Sequence, residues 1–499
     1  MSLCSGDTIQ HGRIEKFGSL VDLGYDVKDF LLQQMHVDDT VDDVLARRYY
    51  SRKALCLVHR DAAVKVWQKI GSDSQLRLER TLTAYDMFVL GDREGDFDEV
   101  AFRLDTLAQE LLELHPSWEN LTCRDKASTL VRFLRANRYT GVRPGGTYHE
   151  VPNSLISFVL LHPDHQSLPL TLVAIFCAVA ARLGLDARPC GYPFHIYAKV
   201  YPPVSATVDG ARTESGSPSE PVFLDPFRSE DEVPLEDLHQ RMTTMGVPTS
   251  AHTAYLRDAS LREMTLRNGR NILQSARSEA AATAATGQGQ SPFESSEILL
   301  EEATYSALWG TLIIHGVPDV GAERTQSLHH LAAMLASKNP EDVWLVEHHL
   351  LGGSGVARHP HLLAVVNLVR QKDASTRRPK RRDPDVLQKP IRYHVGQVFK
   401  HRRYAYHAVV TGWDIQCEAG EGWIREMQVD QLSGGRQQCF YQVLVDDGSE
   451  RYVAEENIHV IILNSAPARL LPLAGKYFKR WDQATGTFVS NVRDEFPDD

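Results

Sequence analysis

The residues that could carry chemistry lie in the middle of the chain. His195 stands in the strand-like stretch Phe194–Tyr201, and Asp225 closes the short apolar stretch Val222–Leu224. Both follow an unbroken apolar run, LPLTLVAIFCAVAARLG, from Leu168 to Gly184. A helix, then His on one strand, then Asp on the next, is the layout of a thiol hydrolase or transferase. There a Cys at the helix N-terminus is activated by a His that the acid orients. Here the helix begins Leu168-Pro169-Leu170-Thr171, without a Cys. Thr171 is a weak nucleophile unless strongly activated. Cys177 falls two turns into the helix, the place of a small apolar filler. Cys190, in the Pro-Cys-Gly-Tyr-Pro loop ahead of the His strand, is the other nearby thiol. His195, Asp225, Cys190 and Thr171 therefore read as candidates for a vestigial site, a base and its orienter with the nucleophile missing.

The elements that must position these residues are legible on either side. The apolar run reads as a helix buried all round, with Gly184 as its C-terminal stop. The polar insertion SATVDGARTESGSPSE separates the His and Asp strands and reads as a mobile loop. Upstream, DVKDFLLQQMH, VDDVLARRYYSRKALCLVHRDAAVKVW, LERTLTAYDMFVLG, FDEVAFRLDTLAQELLEL and CRDKASTLVRFLRAN carry apolar residues at helical spacing. Downstream, residues 275–296 are Ala/Ser/Gly/Gln-rich and read as a disordered linker. Helices return over 297–369 as an α-hairpin region. Its His residues (His329, His330, His348, His349, His359, His361) do not form a metal site, because adjacent His on a helix diverge by about 100°. No metal or other cofactor is expected.

The whole-chain figures bound the function. At 499 residues, 42% hydrophobic and 24% charged, the chain exceeds one core, and about three domains are expected. A net charge of -11 argues against the whole chain coating nucleic acid, though not against one basic module. Seven scattered Cys form no CxxC pair and read as reduced thiols in the cytoplasm and/or nucleus. The opening MSLCSGDTIQHGRIEK has no apolar core of a signal peptide. The most apolar segment, Leu168–Leu185, contains Arg182 and reads as a core helix, so no membrane is expected as a partner.

Such a module is visible near the C-terminus. From Arg370 to Arg403 there are twelve Lys or Arg and three Asp. Residues 370–390 read as a basic linker, and 391–464 as a small antiparallel β-barrel with a hairpin turn at Asp446-Asp447-Gly448-Ser449. Arg377, Arg378, Lys380, Arg381, Arg382, Lys400, His401, Arg402, Arg403, Tyr404 and Trp413 have the composition of a phosphate-tracking surface with stacking aromatics. A solvated linker entering an ordinary barrel with aromatics in its core is the competing interpretation. Residues 465–499 form a tail with no readable role.

Three resemblances sharpen this outline. Val395-Gly396-Gln397-Val398, His401-Arg402-Arg403-Tyr404, Gly412-Trp413-Asp414, Phe440–Asp447 and Tyr452–Asn457 resemble the YccV/HspQ family, the hemimethylated-DNA-binding type. That resemblance implies a small β-barrel binding either DNA or protein partners. FDEVAFRLDTLAQEL, Leu168-Pro169-Leu170, Ala181–Gly184, His195 and Asp225-Pro226-Phe227 resemble the SirB-type transglutaminase-like family, spanning about 78–274. The two in this order resemble the F-box only protein twenty-one family of substrate receptors of SCF-type ubiquitin ligases, and residues 1–77 resemble its helical segment after the F-box. The F-box itself is not recognised in the sequence. The fold class expected is thus α+β multidomain: a helical N-terminal region, a transglutaminase-like α/β core, a helical hairpin region and a C-terminal barrel. The function expected is a non-enzymatic adaptor. Its partners would be ubiquitin-ligase components or degradation substrates, with double-stranded DNA a further partner through 370–464. The alternative is a cysteine-type hydrolase or transferase.

Overall fold

The apolar run becomes the helix Pro169–Arg182, with Pro169 in its first turn and every residue from Leu170 to Ala180 buried. Proline suits this position, since its ring presets the helical φ and no amide is lost from the helix ladder. The helix stops at Gly184, where φ is 76° and the amide of Leu185 donates back to the carbonyl of Ala180 at 2.9 Å. A computed structural model describes the chain at residues 12–142, 148–204, 206–213, 220–286, 296–315, 322–351, 360–375, 378–383 and 389–499. It divides into two units, one made of 59–337 and 345–362, the other of 1–58, 338–344 and 363–499.

In the first unit, the buried helix is walled by Leu78–Asp86, Phe97–Leu114, Cys123–Ala136 and Ile156–Leu161. The Phe97–Leu114 helix starts on a reciprocal cap, Asp96 accepting from the Glu99 amide while Glu99 accepts from the Asp96 amide. Two short strands, β1 (Thr140–Gly141) and β2 (Gln166–Ser167), pair in parallel. A three-stranded antiparallel sheet follows: β3 (Asp186–Cys190), β4 (Tyr197–Tyr201) and β5 (Val222–Leu224), with β4 central. About twenty residues (202–221) separate β4 from β5. Ala198, Val200, Val222 and Leu224 face the buried helix, while Tyr197 and Phe223 face a smaller core with Leu238 and Met242 of the helix Leu235–Thr244. The two-residue alternation of strands produces that split.

Residues 275–286, expected to be disordered, are instead the end of the helix Leu261–Thr286. Low complexity misled here because the segment is rich in Ala, the strongest helix former, and because Ser275 and Ala276 are buried. The rest of that expected linker, 287–295, lies outside the described residues. Helices Ser296–His315 and Ala322–Ser337 complete this unit. Tyr85 lies between Gly269 and Gly310, where a Cβ at either position would come within 3 Å of its ring or hydroxyl.

In the second unit, five strands form an antiparallel sheet: β6 (Val398–His401), β7 (His407–Asp414), β8 (Phe440–Val445), β9 (Glu450–Ala454) and β10 (Ile458–Val460), in the order β10-β6-β7-β8-β9. Among the described residues no pairing joins β10 to β9, so the expected closed barrel is an open sheet. The Asp446–Ser449 turn joins β8 to β9, with Gly448 at φ 83°. The tail continues the domain: β11 (Phe478–Asp482) and β12 (Thr487–Ser490) form a hairpin, and Phe478, Phe488, Val492 and Phe496 join the sheet's core. The expected basic linker is partly ordered as well. Its first residues end the helix Pro360–Ala374, and Asp373 accepts from the Arg13 and Ile14 amides at the start of the helix Arg13–Val21. Among the described residues no helix is long and apolar enough to cross a membrane.

Gly396 joins the sheet to the tail. Its φ is +93°, the Phe488 amide donates to its carbonyl at 2.9 Å, and a Cβ there would overlap the Phe488 carbonyl oxygen. Gly396→Ala is expected to destabilise this unit by about 3 kcal/mol, through left-handed strain plus the clash. Chemical denaturation followed by tryptophan fluorescence measures it, and an unchanged midpoint would refute the assignment.

Candidate functional site

The His and the Asp meet as their strands require. His195 lies two residues before β4 and Asp225 directly follows β5, and in that antiparallel pair Ala198 stands opposite Leu224. The His195 Nε2 donates to Asp225 Oδ1 at 3.0 Å, with both side chains almost fully buried. A carboxylate only accepts, so this bond places a ring proton on Nε2, and in the uncharged ring Nδ1 is then the acceptor. Among the described residues Nδ1 has no hydrogen-bond partner. Arg228 Nη1 donates to the second Asp225 oxygen at 3.1 Å. Burial alone would raise the Asp225 carboxyl, but the hydrogen bond from His195 and the nearby Arg228 guanidinium outweigh it and hold it below the usual carboxylate range. The ring of Tyr197 packs edge-on against His195 at 4.8 Å, and that of Phe227 at 5.8 Å.

The loop carrying His195 is held from two sides. Arg267, on the helix Leu261–Thr286, donates to the carbonyls of Tyr192 and His195 at 3.2 Å each. Phe194, between them, adopts a left-handed φ of 58° and is 90% exposed. A bulky non-glycine residue in that region costs about 1 kcal/mol or more, so an aromatic there in solvent is held against its own preference.

Neither candidate nucleophile is hydrogen-bonded to His195. The hydroxyl of Thr171, fully buried, donates to the Asn153 carbonyl at 3.2 Å. Cys190 Sγ lies 3.5 Å from the Tyr255 carbonyl, on the sheet face that carries Tyr192 and Phe223. Burial pushes its thiol up to about 11, the opposite of an activated thiolate. Cys177 is buried within the central helix, and burial pushes its thiol up as well.

Beside His195 opens a cavity of about 530 Å³. Its inner wall is His195 with the buried rings of Tyr192 and Tyr197. Its outer wall is Phe194, Arg228 and one face of the helix Leu235–Thr244, where Asp237, Gln240, Arg241 and Thr244 recur at helical spacing. Sequence reading missed these residues. The one available signal was the acidic amphipathic helix after Asp225, whose pattern by itself says no more than that a capped helix is present.

The basic residues of the C-terminal unit separate into two groups. Lys380 pairs with the buried carboxylate of Asp414. Arg382 donates twice to Asp499 and to the carbonyls of Ile391 and Tyr393, with its guanidinium over the ring of Trp413. Trp413 is buried, its indole N–H donating to Asp499 at 2.9 Å. His401 is buried too, its Nδ1 accepting from the Arg403 and Tyr404 amides. Lys380, Arg382, His401 and Trp413 are therefore engaged within the domain, with His401 and Trp413 buried. Lys400, Arg402, Arg403 and Tyr404 remain exposed at the β6–β7 turn, and Arg378 and Arg381 are exposed before it. Arg377 lies outside the described residues.

Comparison with known proteins then bears on both units. Residues 98–270 match the transglutaminase-like superfamily, and residues 391–485 match the family described as hemimethylated DNA-binding protein YccV like. The chain combines a transglutaminase-like domain with a YccV-like one. The second match runs past residue 464 into β11, in line with the tail's place in the sheet core. The chain is 40% identical over 119 residues to F-box only protein 21 of Homo sapiens and of Pongo abelii, and 43% identical over 111 residues to that of Mus musculus. The human match covers 23% of this chain and 18% of the relative, so the aligned part spans less than a fifth of those relatives. No solved structure matches the chain.

Asp225→Asn should lower stability by about 2 kcal/mol at neutral pH, because it weakens a buried charge-assisted pair. The native carboxyl titrates below its unfolded value. The difference between wild type and variant is therefore complete above about pH 4 and shrinks as pH falls through the native value. Thermal melts of both proteins from pH 7 to 3 test this, and a difference that stays constant to pH 3 contradicts it.

Proposed function

We propose that the chain is a non-enzymatic adaptor that recognises proteins for ubiquitin-dependent turnover. The observation that carries this reading is the state of the His195–Asp225 pair: an oriented base with no thiol or hydroxyl hydrogen-bonded to it among the described residues. A general base without an activated nucleophile does not perform acyl transfer. The similarity to F-box only protein 21, and the pairing of a transglutaminase-like with a YccV-like domain, support a role in a ubiquitin-ligase assembly. The compartment proposed with this role is the cytoplasm, the nucleus or both.

The purified chain, given a fluorescent amine donor and a glutamine-rich protein acceptor, is expected to incorporate none, and folded Cys190 is expected to resist iodoacetamide at neutral pH. Amine incorporation abolished by Cys190→Ala would overturn the reading in favour of a cysteine-type transferase. Co-purification with Skp- and cullin-type subunits from cells is expected, and their absence would remove the ligase link.

Duplex DNA binding by the YccV-like domain is a subsidiary reading, supported by the name of the matched family and by the exposed Lys400, Arg402, Arg403 and Tyr404. Replacing Lys400, Arg402 and Arg403 together with Gln should reduce the slope of log affinity against log salt by about 0.9 for each phosphate that is no longer neutralised. A titration against duplex at two salt concentrations measures it, and salt-independent binding would exclude this interface.

A further inference from the structure

The cavity beside His195 has the chemistry of a peptide pocket. Its floor is aromatic and buried, and its rim is polar and exposed, which is the arrangement of sites that bury a ligand's apolar part and orient its polar part. Arg228 and Arg241 stand on different elements at that rim. Arg228 donates to Asp225 and is otherwise half exposed, and Arg241 donates to the Tyr197 hydroxyl at 3.2 Å. Each guanidinium carries five N–H groups in a planar fork suited to a carboxylate, and beyond these two bonds most of that donor capacity is unengaged among the described residues. In its uncharged form, with the Nε2 proton directed to Asp225, His195 offers the complement, its Nδ1 accepting from a peptide N–H. Phe194, exposed and held at φ 58°, and Met245 give an apolar side chain a surface to cover. Among the described lining residues Asp237 is the one carboxylate.

We infer that this cavity binds a peptide segment carrying a carboxylate next to an apolar residue. Arg228 and Arg241 hold the carboxylate, His195 Nδ1 accepts a backbone N–H, and the apolar side chain lies against Phe194. The carboxylate belongs either to an acidic side chain or to a chain terminus. This inference rests on the adaptor reading and assigns its recognition site. The geometry of a transferase site then serves retention, with the His kept as a hydrogen-bond acceptor.

Fluorescence anisotropy of the full chain tests it, using three mixtures of short fluorescein-labelled peptides. One carries an internal Leu-Glu pair and an amidated terminus. The second is otherwise neutral and ends in Leu with a free carboxylate. The third carries Leu-Gln and an amidated terminus. One of the first two is expected to bind about tenfold more tightly than the third, the difference of a charge-assisted pair, and which one it is identifies the carboxylate's source. Arg241→Gln should remove that preference and Arg241→Lys restore part of it. Phe194→Gly should weaken binding while the melting temperature holds or rises, since glycine accepts the left-handed backbone. Equal binding of all three mixtures, absence of binding, or a preference untouched by Arg241→Gln would overturn the pocket while leaving the adaptor reading intact. Cleavage or cross-linking of a bound peptide would overturn the adaptor reading and leave the ligand class standing.

Discussion

The transglutaminase-like unit depends on burying one helix completely. With every side chain from Leu170 to Ala180 out of solvent, the helix has no face to offer water and must be enclosed by other elements. Each large side chain buried there contributes roughly 1.5–3 kcal/mol, which makes this helix the strongest local reason for the surrounding helices and sheet to assemble. The sheet gives it Ala198, Val200, Val222 and Leu224. Because strand side chains alternate, the opposite face of the sheet then holds Tyr197 and Phe223, and the strand ends bring His195 to Asp225. The His–Asp pair is thus brought together by the same packing that buries the helix.

That dependence explains what was legible in the sequence. The buried helix, its Gly184 stop, the strand before Asp225 and the Asp446–Ser449 turn rest on local periodicity and backbone preference, which a single sequence displays. His195, expected within a strand over Phe194–Tyr201, instead lies in the turn just before Tyr197–Tyr201. The fate of individual polar residues rests on distant partners, which a single sequence does not display. Arg382, Lys380, His401 and Trp413 read as a nucleic-acid surface when charge and aromaticity are counted along the chain. Asp499 and Asp414, the partners of Arg382, Trp413 and Lys380, are tertiary, while His401 turns to the amides of its own turn. The tail is unreadable for the same reason: Phe478 and Phe488 are sparse aromatics until the sheet they cover is present. Ala-rich composition between 275 and 286 suggests disorder, although the same residues favour a helix once one face is buried.

Of the site, the pair itself was visible in advance and the cavity was not. Arg228, Arg241 and Gln240 come from a turn and a helix that carry no motif, and only folding sets them beside His195. The candidate nucleophiles were separated from His195 by equally tertiary facts. Thr171 turns to the Asn153 carbonyl, and the Cys190 thiol lies by the Tyr255 carbonyl.

The stretch joining β4 to β5 carries a consequence for chain length. The register of these strands is fixed by buried Val222 and Leu224 against Val200 and Ala198, not by the intervening residues 202–221. Closing such a loop becomes harder only logarithmically with length, by about 0.6 kcal/mol for each doubling. Away from Val208, which joins the core, and Asp209, which pairs with Arg124, length changes there cost the fold little and leave the histidine and its acid in register.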